Sequence, residues 1–154
     1  MAPQETATGA VRVRPAAGAA ELAACAGLYE VGQREIMPDD PPRAWSRAGF
    51  ADATVGEDVF VALAPGGGVV GFVSLWRPEP FVHFLHVARG WRGRGVGRAL
   101  LDHALATVPA GPVDLKCLPD NRPALAFYRR LGWVQVGADP GARPHYVRLR
   151  LARP

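Results

Sequence analysis

The sequence predicts a mixed α/β domain, a largely antiparallel central sheet flanked by helices. Three observations carry this. Three β-rich apolar runs follow one another between 59 and 87, joined by turn residues, and read as a meander. The apolar spacing then lengthens to helical spacing in 96–108 and again in 124–131. Short β-rich runs separate and follow those helices, the alternation expected when helices pack on a sheet. A chain of 154 residues suits one domain. At that length roughly 68–70% of the unfolded surface can be buried, so neither a disulfide nor a metal is needed for folding.

The elements follow in order. Residues 1–10, MAPQETATGA, contain an early acid and no apolar segment; they read as a disordered tail ahead of a single domain over 11–154. Val11–Arg14 alternates apolar and charged residues and reads as a strand stopped by Pro15. Glu21–Tyr29 is rich in Ala and Leu and reads as a helix. Asp39-Asp40-Pro41-Pro42 breaks the chain, and Arg43–Thr54 is a weaker helical stretch. Val59–Ala64, the turn Pro65-Gly66-Gly67-Gly68 and Val69–Trp76 form a hairpin, and Phe81–Val87 adds a strand after Arg77-Pro78-Glu79-Pro80. Val96, Leu100, Ala104 and Val108 make one apolar helix face, ended by Pro109. Val113–Cys117 is a fifth strand. Asn121 caps a helix with Pro123 in its first turn, and Gly132 stops it. Trp133–Val136 and Tyr146–Leu151 are the last strands.

The formal charge is +4, and of 18 basic residues only Lys116 is lysine. Cys25 and Cys117 offer no disulfide framework and no paired-cysteine metal spacing, which suits a reducing cytoplasmic compartment. No apolar run is long enough to span a membrane. The helix at 96–108 carries only Arg98 as a basic residue, too little for a nucleic-acid recognition helix. His83 and His86 stand three apart on a strand and face opposite sides, so they do not share a metal; none is expected.

Trp91-Arg92-Gly93-Arg94-Gly95-Val96-Gly97-Arg98 joins a strand to the long helix. Glycines let an anion approach the backbone, the amides opening a helix carry partial positive charge, and arginines add charge-assisted bonds. The dinucleotide pattern would need glycine at position 98 or 100, and the P-loop would need Gly-Lys-Ser/Thr; both fail. What fits is R-x-x-G-x-G from Arg92 to Gly97.

A second block, Asn121-Arg122-Pro123-Ala124-Leu125-Ala126-Phe127-Tyr128-Arg129-Arg130-Leu131-Gly132-Trp133, lies one strand further on. Together the two blocks resemble the GNAT superfamily of acyl-coenzyme A N-acyltransferases, strongly over 59–136 and only in general layout before residue 55. The resemblance implies that strands four and five splay around the pantetheine arm of acetyl-coenzyme A. The backbone of Leu85, His86 and Val87 would bond that arm. The amides of Gly93, Arg94, Gly95, Val96, Gly97 and Arg98 would meet the pyrophosphate, with Arg92 beside it. Asn121 and Tyr128 would border the thioester.

Acetyl transfer to an amine needs a base to free the nucleophile, a donor for the developing oxyanion and a proton for the leaving thiolate. The resemblance makes Tyr128 the candidate acid and the Val87 amide the oxyanion donor. His83-Phe84-Leu85-His86-Val87 is similar to strand four of serotonin N-acetyltransferases, which implies His83 as a water-relayed base; Phe81 replaces their second histidine. An imidazole suits that task near neutral pH. Glu79 is the alternative base. His103 is expected to be solvated. The acceptor pocket would lie between 31–50 and 137–145, with Glu35, Asp39 and Asp40 drawing a cationic amine, Trp45, Phe50 and Trp76 as an apolar wall and His145 at its edge. The expected acceptor is a small primary amine and the expected assembly a monomer or homodimer. A protein or peptide acceptor, or a non-catalytic acyl-coenzyme A sensor, are the alternatives.

Overall fold

The structure, a computed structural model, describes residues 11–139, 141 and 145–154; the expected tail at 1–10 and part of the 137–145 loop lie outside them. One seven-stranded sheet runs in the order β1-β2-β3-β4-β5-β7-β6. Its strands are β1 (Arg12–Pro15), β2 (Asp58–Leu63), β3 (Val69–Trp76), β4 (Phe81–Val87), β5 (Val113–Cys117), β6 (Val134–Ala138) and β7 (Val147–Leu151). The helices are α1 (Gly18–Ile36), α2 (Phe50–Ala53), α3 (Val96–Ala106) and α4 (Arg122–Arg130). Among the described residues no helix is long and apolar enough to cross a membrane.

The expected meander is present: β2, β3 and β4 pair antiparallel in succession, and β1 joins the edge of β2 in the same sense. β4 and β5 alone are parallel, as a crossover through a helix permits. That pairing covers only Phe81 with Asp114 and Val82 with Leu115, although β4 continues to Val87. The two strands therefore part.

Apolar side chains bury on both sheet faces. On one face α3 and α4 pack Val96, Leu100, Leu101, Leu125 and Tyr128 onto Val73, Leu75, Val82 and Leu115. On the other, α1 and α2 pack Cys25, Tyr29 and Phe50 onto Val61, Phe72 and Phe84. Caps agree with the sequence: the Asn121 side chain accepts from the Ala124 amide (3.4 Å), and Gly132 takes φ +94°.

Three expectations need correction. α1 is longer than 21–29, because its last turns are held by tertiary contacts described below. The stretch 43–54 is not one helix: two 3-10 turns, Pro42–Trp45 and Arg47–Gly49, precede the four-residue α2. They follow Pro41-Pro42 and are pinned by Asp40, which accepts from the Trp45 indole at 2.8 Å.

The third correction concerns β4. Regular alternation would put Val82, Phe84 and His86 on one face. Instead Ser74 pairs with Phe84 and Leu75 with Val82, so His83 is an extra residue, a β-bulge. The bulge reverses the alternation. Val82 joins the α3/α4 layer, whereas Phe84 packs among Tyr29 and Phe50. The fully buried Ser74 hydroxyl accepts from the displaced Phe84 amide at 3.1 Å. Ser74→Ala is expected to orphan that amide and lower unfolding free energy by about 1–3 kcal/mol. Urea denaturation measures this, and a change under about 0.5 kcal/mol would mean the amide finds another acceptor.

Candidate active site

The bulge pushes His83 out of the sheet. Its side chain is 41% exposed, and Nδ1 lies 2.9 Å from both carboxylate oxygens of Glu57, whose own side chain is only 5% exposed. The imidazole stacks on Phe84, with centroids 3.8 Å apart. A neutral ring that donates Nδ1–H to Glu57 keeps its lone pair on Nε2. Glu57 comes just before β2, after a turn in which Gly56 takes φ +76° against the Trp76 ring. Reading the sequence missed it. Glu79, the alternative base, lies exposed in the turn 77–80.

His86 is buried and serves differently. Its Nε2 lies 2.9 Å from the Gln33 side-chain oxygen, and its ring sits against Gly32. A Cβ at Gly32 would come 2.1 Å from His86 Nδ1, so glycine is required where helix α1 meets β4. Burial, helped by the charge of Arg92 and opposed by Glu35, pushes the His86 pKa down to about 4.

Backbone alternation sorts the rest of β4. The Ala88 amide donates to the Val70 carbonyl of β3 (2.8 Å), and Phe72 is the partner of His86. The backbone of His86 therefore faces β3, and that of Leu85 and Val87 faces the opening toward β5. Of the expected trio, His86 is misplaced on this count.

At the opening of α3, Gly93 and Gly95 take φ +73° and +81°, and a Cβ at either would meet open space. The Ala99 amide closes on the Gly95 carbonyl at 3.0 Å, which leaves the amides of Gly95, Val96, Gly97 and Arg98 as the four open donors of a helix start among the described residues. Gly97 is closely packed: a Cβ there would lie 3.3 Å from the Phe127 ring and 3.9 Å from Leu85.

The arginines of this turn are largely engaged. Arg92 donates through Nε to the Val87 carbonyl (3.0 Å) and pairs with Glu35 (2.9 Å), which also holds Arg89 (2.6 Å). Arg94 lies 5.1 Å over the Trp91 ring, and Arg98 is 3.7 Å from Asp102. Glu35 is thus a brace for arginines rather than a lure for an amine. Its burial raises its pKa, but bonds from Arg89 and Arg92 win and hold it below the ordinary range.

Tyr128 is buried on α4 between Phe127 and Trp133. Burial, and then Cys117, raises its phenol well above the ordinary range, so it stays a donor at neutral pH. Phe50 lies in the core, Trp45 edges onto Tyr29, and Trp76 is exposed. His103 is half-buried rather than fully solvated: its ring lies 5.3 Å from the Phe60 ring, and partial burial lowers its pKa. His145 donates Nδ1–H to the Asp139 carbonyl at 3.2 Å.

Residues 21–133 match the model of the acetyltransferase (GNAT) family. The N-alpha-acetyltransferase RimI of Mycobacterium tuberculosis is 35% identical over 115 residues, 70% of this chain and 71% of that protein. The streptothricin acetyltransferase of Streptomyces lavendulae is 34% identical over 116 residues, 68% of this chain and 59% of that enzyme. Among solved structures, a GCN5-related N-acetyltransferase from Rhodopseudomonas palustris superposes with TM-score 0.75 at 21% identity, over 97% of this chain and 99% of the other. PaiA N-acetyltransferase from Thermoplasma acidophilum, solved with coenzyme A, gives 0.73 at 11% identity, over 95% and 100%. The structural matches share the fold.

The buried His86 generates a pH prediction. Unfolded, it takes a proton near 6.5; folded, only near 4. Its contribution is fully present above pH 6.5 and is lost as pH falls through that window. Between pH 7 and 4 the wild type should lose on the order of 3 kcal/mol more stability than His86→Gln, read from urea melts at each pH. Parallel curves would remove His86 as the source.

Proposed function

The chain belongs to the GNAT acetyltransferase family, and on that premise we propose that it transfers the acetyl group of acetyl-coenzyme A to the primary amine of a small molecule. The observation that carries this reading is the Glu57–His83 pair, set on the β4 bulge where β4 leaves β5. A second reading, a protein N-terminus as acceptor, is favoured by the likeness to RimI.

Acetyl-coenzyme A supplies the activated acetyl thioester. Its diphosphate suits the amides of Gly95, Val96, Gly97 and Arg98 and the open space at Gly93 and Gly95. Its arm suits the unpaired edge of β4, where Leu85 and Val87 present backbone groups. The Val87 amide, on the strand edge that faces the opening, donates to the thioester oxygen in this reading as charge builds there. His83 Nε2, directly or through one water, takes the proton of the attacking amine. Glu57 fixes the tautomer and stabilises the imidazolium that results. Tyr128 donates to the departing sulfur, and Asn121 caps the helix that carries it.

Two outcomes are expected. Acetyl-coenzyme A should raise the melting temperature by several degrees, and Gly95→Glu, which sets an acid among the amides, should abolish the rise while circular dichroism still reports a folded chain. With an acceptor drawn from a panel of amines and peptides, His83→Ala should lower kcat by about 10²–10⁴ while the KM for acetyl-coenzyme A stays unmoved. Glu57→Gln should lower kcat less, with the KM for acetyl-coenzyme A unmoved. An undiminished kcat in His83→Ala would take His83 out of the mechanism.

A further inference from the structure

Strand alternation divides β5 and β7 into two faces. Val113, Leu115 and Leu149 enter the α3/α4 layer, and Asp114, Lys116, Arg148 and Arg150 point the other way. That second face holds a charged assembly to which the proposed chemistry gives no role. The Asp114 side chain is 7% exposed and accepts from Arg148 Nε at 2.7 Å, and from Arg150 through Nε (2.7 Å) and Nη2 (3.0 Å). Arg150 commits two groups to it in a fork. Arg148 commits only Nε, so its two terminal NH₂ groups make no hydrogen bond among the described residues. Its guanidinium lies 5.8 Å over the Phe81 ring, and Phe81 neighbours the His83 ring at 6.3 Å.

Beside Arg148 is a small cavity of about 120 Å³, lined among the described residues by Lys116, Gly137, Ala138, Asp139, Tyr146 and Arg148. That equals roughly four waters at ~30 Å³ each, room for a compact polar group. Lys116 Nζ stands 3.6 Å from Asp139, a loose pair. Counting Lys116, Arg148 and Arg150 against Asp114 and Asp139, cations outnumber carboxylates, three to two. A planar guanidinium whose orientation is fixed by a buried carboxylate, with both terminal groups free, matches the two oxygens of a carboxylate.

We propose that the acceptor carries a carboxylate close to its amine, and that Arg148, oriented by Asp114, receives that carboxylate while the amine turns toward His83. This rests on the acetyl-transfer reading and narrows it to amino-acid-like acceptors. Asp114 is a positioning residue, since it acts through Arg148.

The test pairs each of the common amino acids with its carboxamide as acceptor at saturating acetyl-coenzyme A. The better acids should exceed their amides in kcat/KM by at least about tenfold, the scale of one charge-assisted bond. Arg148→Gln should bring that ratio close to one. Arg130→Gln, which removes an equal charge on α4, should preserve it. Acids and amides turned over equally, or a preference that survives Arg148→Gln, would overturn the proposal. A second arm needs no turnover: N-acetylglycine and N-acetylglycinamide are titrated into ¹⁵N-labelled protein and followed by NMR. The acid should bind several-fold more tightly, and only while Arg148 is present; equal binding would refute the carboxylate site. Selective acid binding with no transfer to any amine would defeat the acetyl-transfer reading and leave this site standing. Transfer without charge preference would do the reverse.

Discussion

The short partnership of β4 and β5 is the constraint from which the rest of the site descends. Two paired positions, Phe81 with Asp114 and Val82 with Leu115, hold the halves of the sheet together. Beyond them the backbone of Leu85 and Val87 faces an opening instead of a neighbouring strand. An unpaired strand edge inside a sheet is costly unless something fills it, because each backbone group there wants a partner. Part of that demand is met internally, by Arg92 on the Val87 carbonyl. The bulge at His83 lies at the same place and is stabilised by Ser74. Parting strands, bulge and exposed histidine are one geometric event on one strand.

Around this event, charge is arranged by pairing more than by excess. The formal +4 suggests a generally cationic surface, yet Glu35 gathers Arg89 and Arg92, Asp114 gathers Arg148 and Arg150, and Glu21 holds Arg14. The carboxylates restrict where guanidinium groups can point. Exposed ion pairs contribute little stability. Their value here is directional, and it is greatest where the carboxylate is sealed from water, as with Asp114 and Glu57.

Much of this was legible from the chain. Asn121, Pro123 and Gly132 delimit α4 by local chemistry, and the Gly-Gly-Gly turn and apolar runs delimit the meander. The paired glycine–arginine and Asn–Tyr blocks point to the family, whose match begins at Glu21, well before the region where resemblance is strong. What was not legible depends on distant partners. Phe-Val-His-Phe-Leu-His-Val reads as regular alternation, and only its register against Ser74 and Leu75 reveals the extra residue. Glu57 stands 26 positions from His83 with no periodic signal. The last turns of α1 contain Val31 and Gly32, weak helix formers, and extend because Gln33 and Glu35 find partners on and beyond β4. The 43–54 stretch misleads the other way, since composition favours a helix that Pro41-Pro42 and the Asp40–Trp45 bond break into turns.

The contact between Gly32 and His86 has a consequence for how this sequence can change over time. With an imidazole nitrogen only 2.1 Å from where a methyl would stand, alanine at 32 is barred while histidine occupies 86. A smaller side chain at 86 would lift that bar, at the expense of the bond to Gln33. Positions 32, 33 and 86 therefore form an epistatic trio: drift at one is permitted or forbidden by the other two, and related chains should vary there in concert.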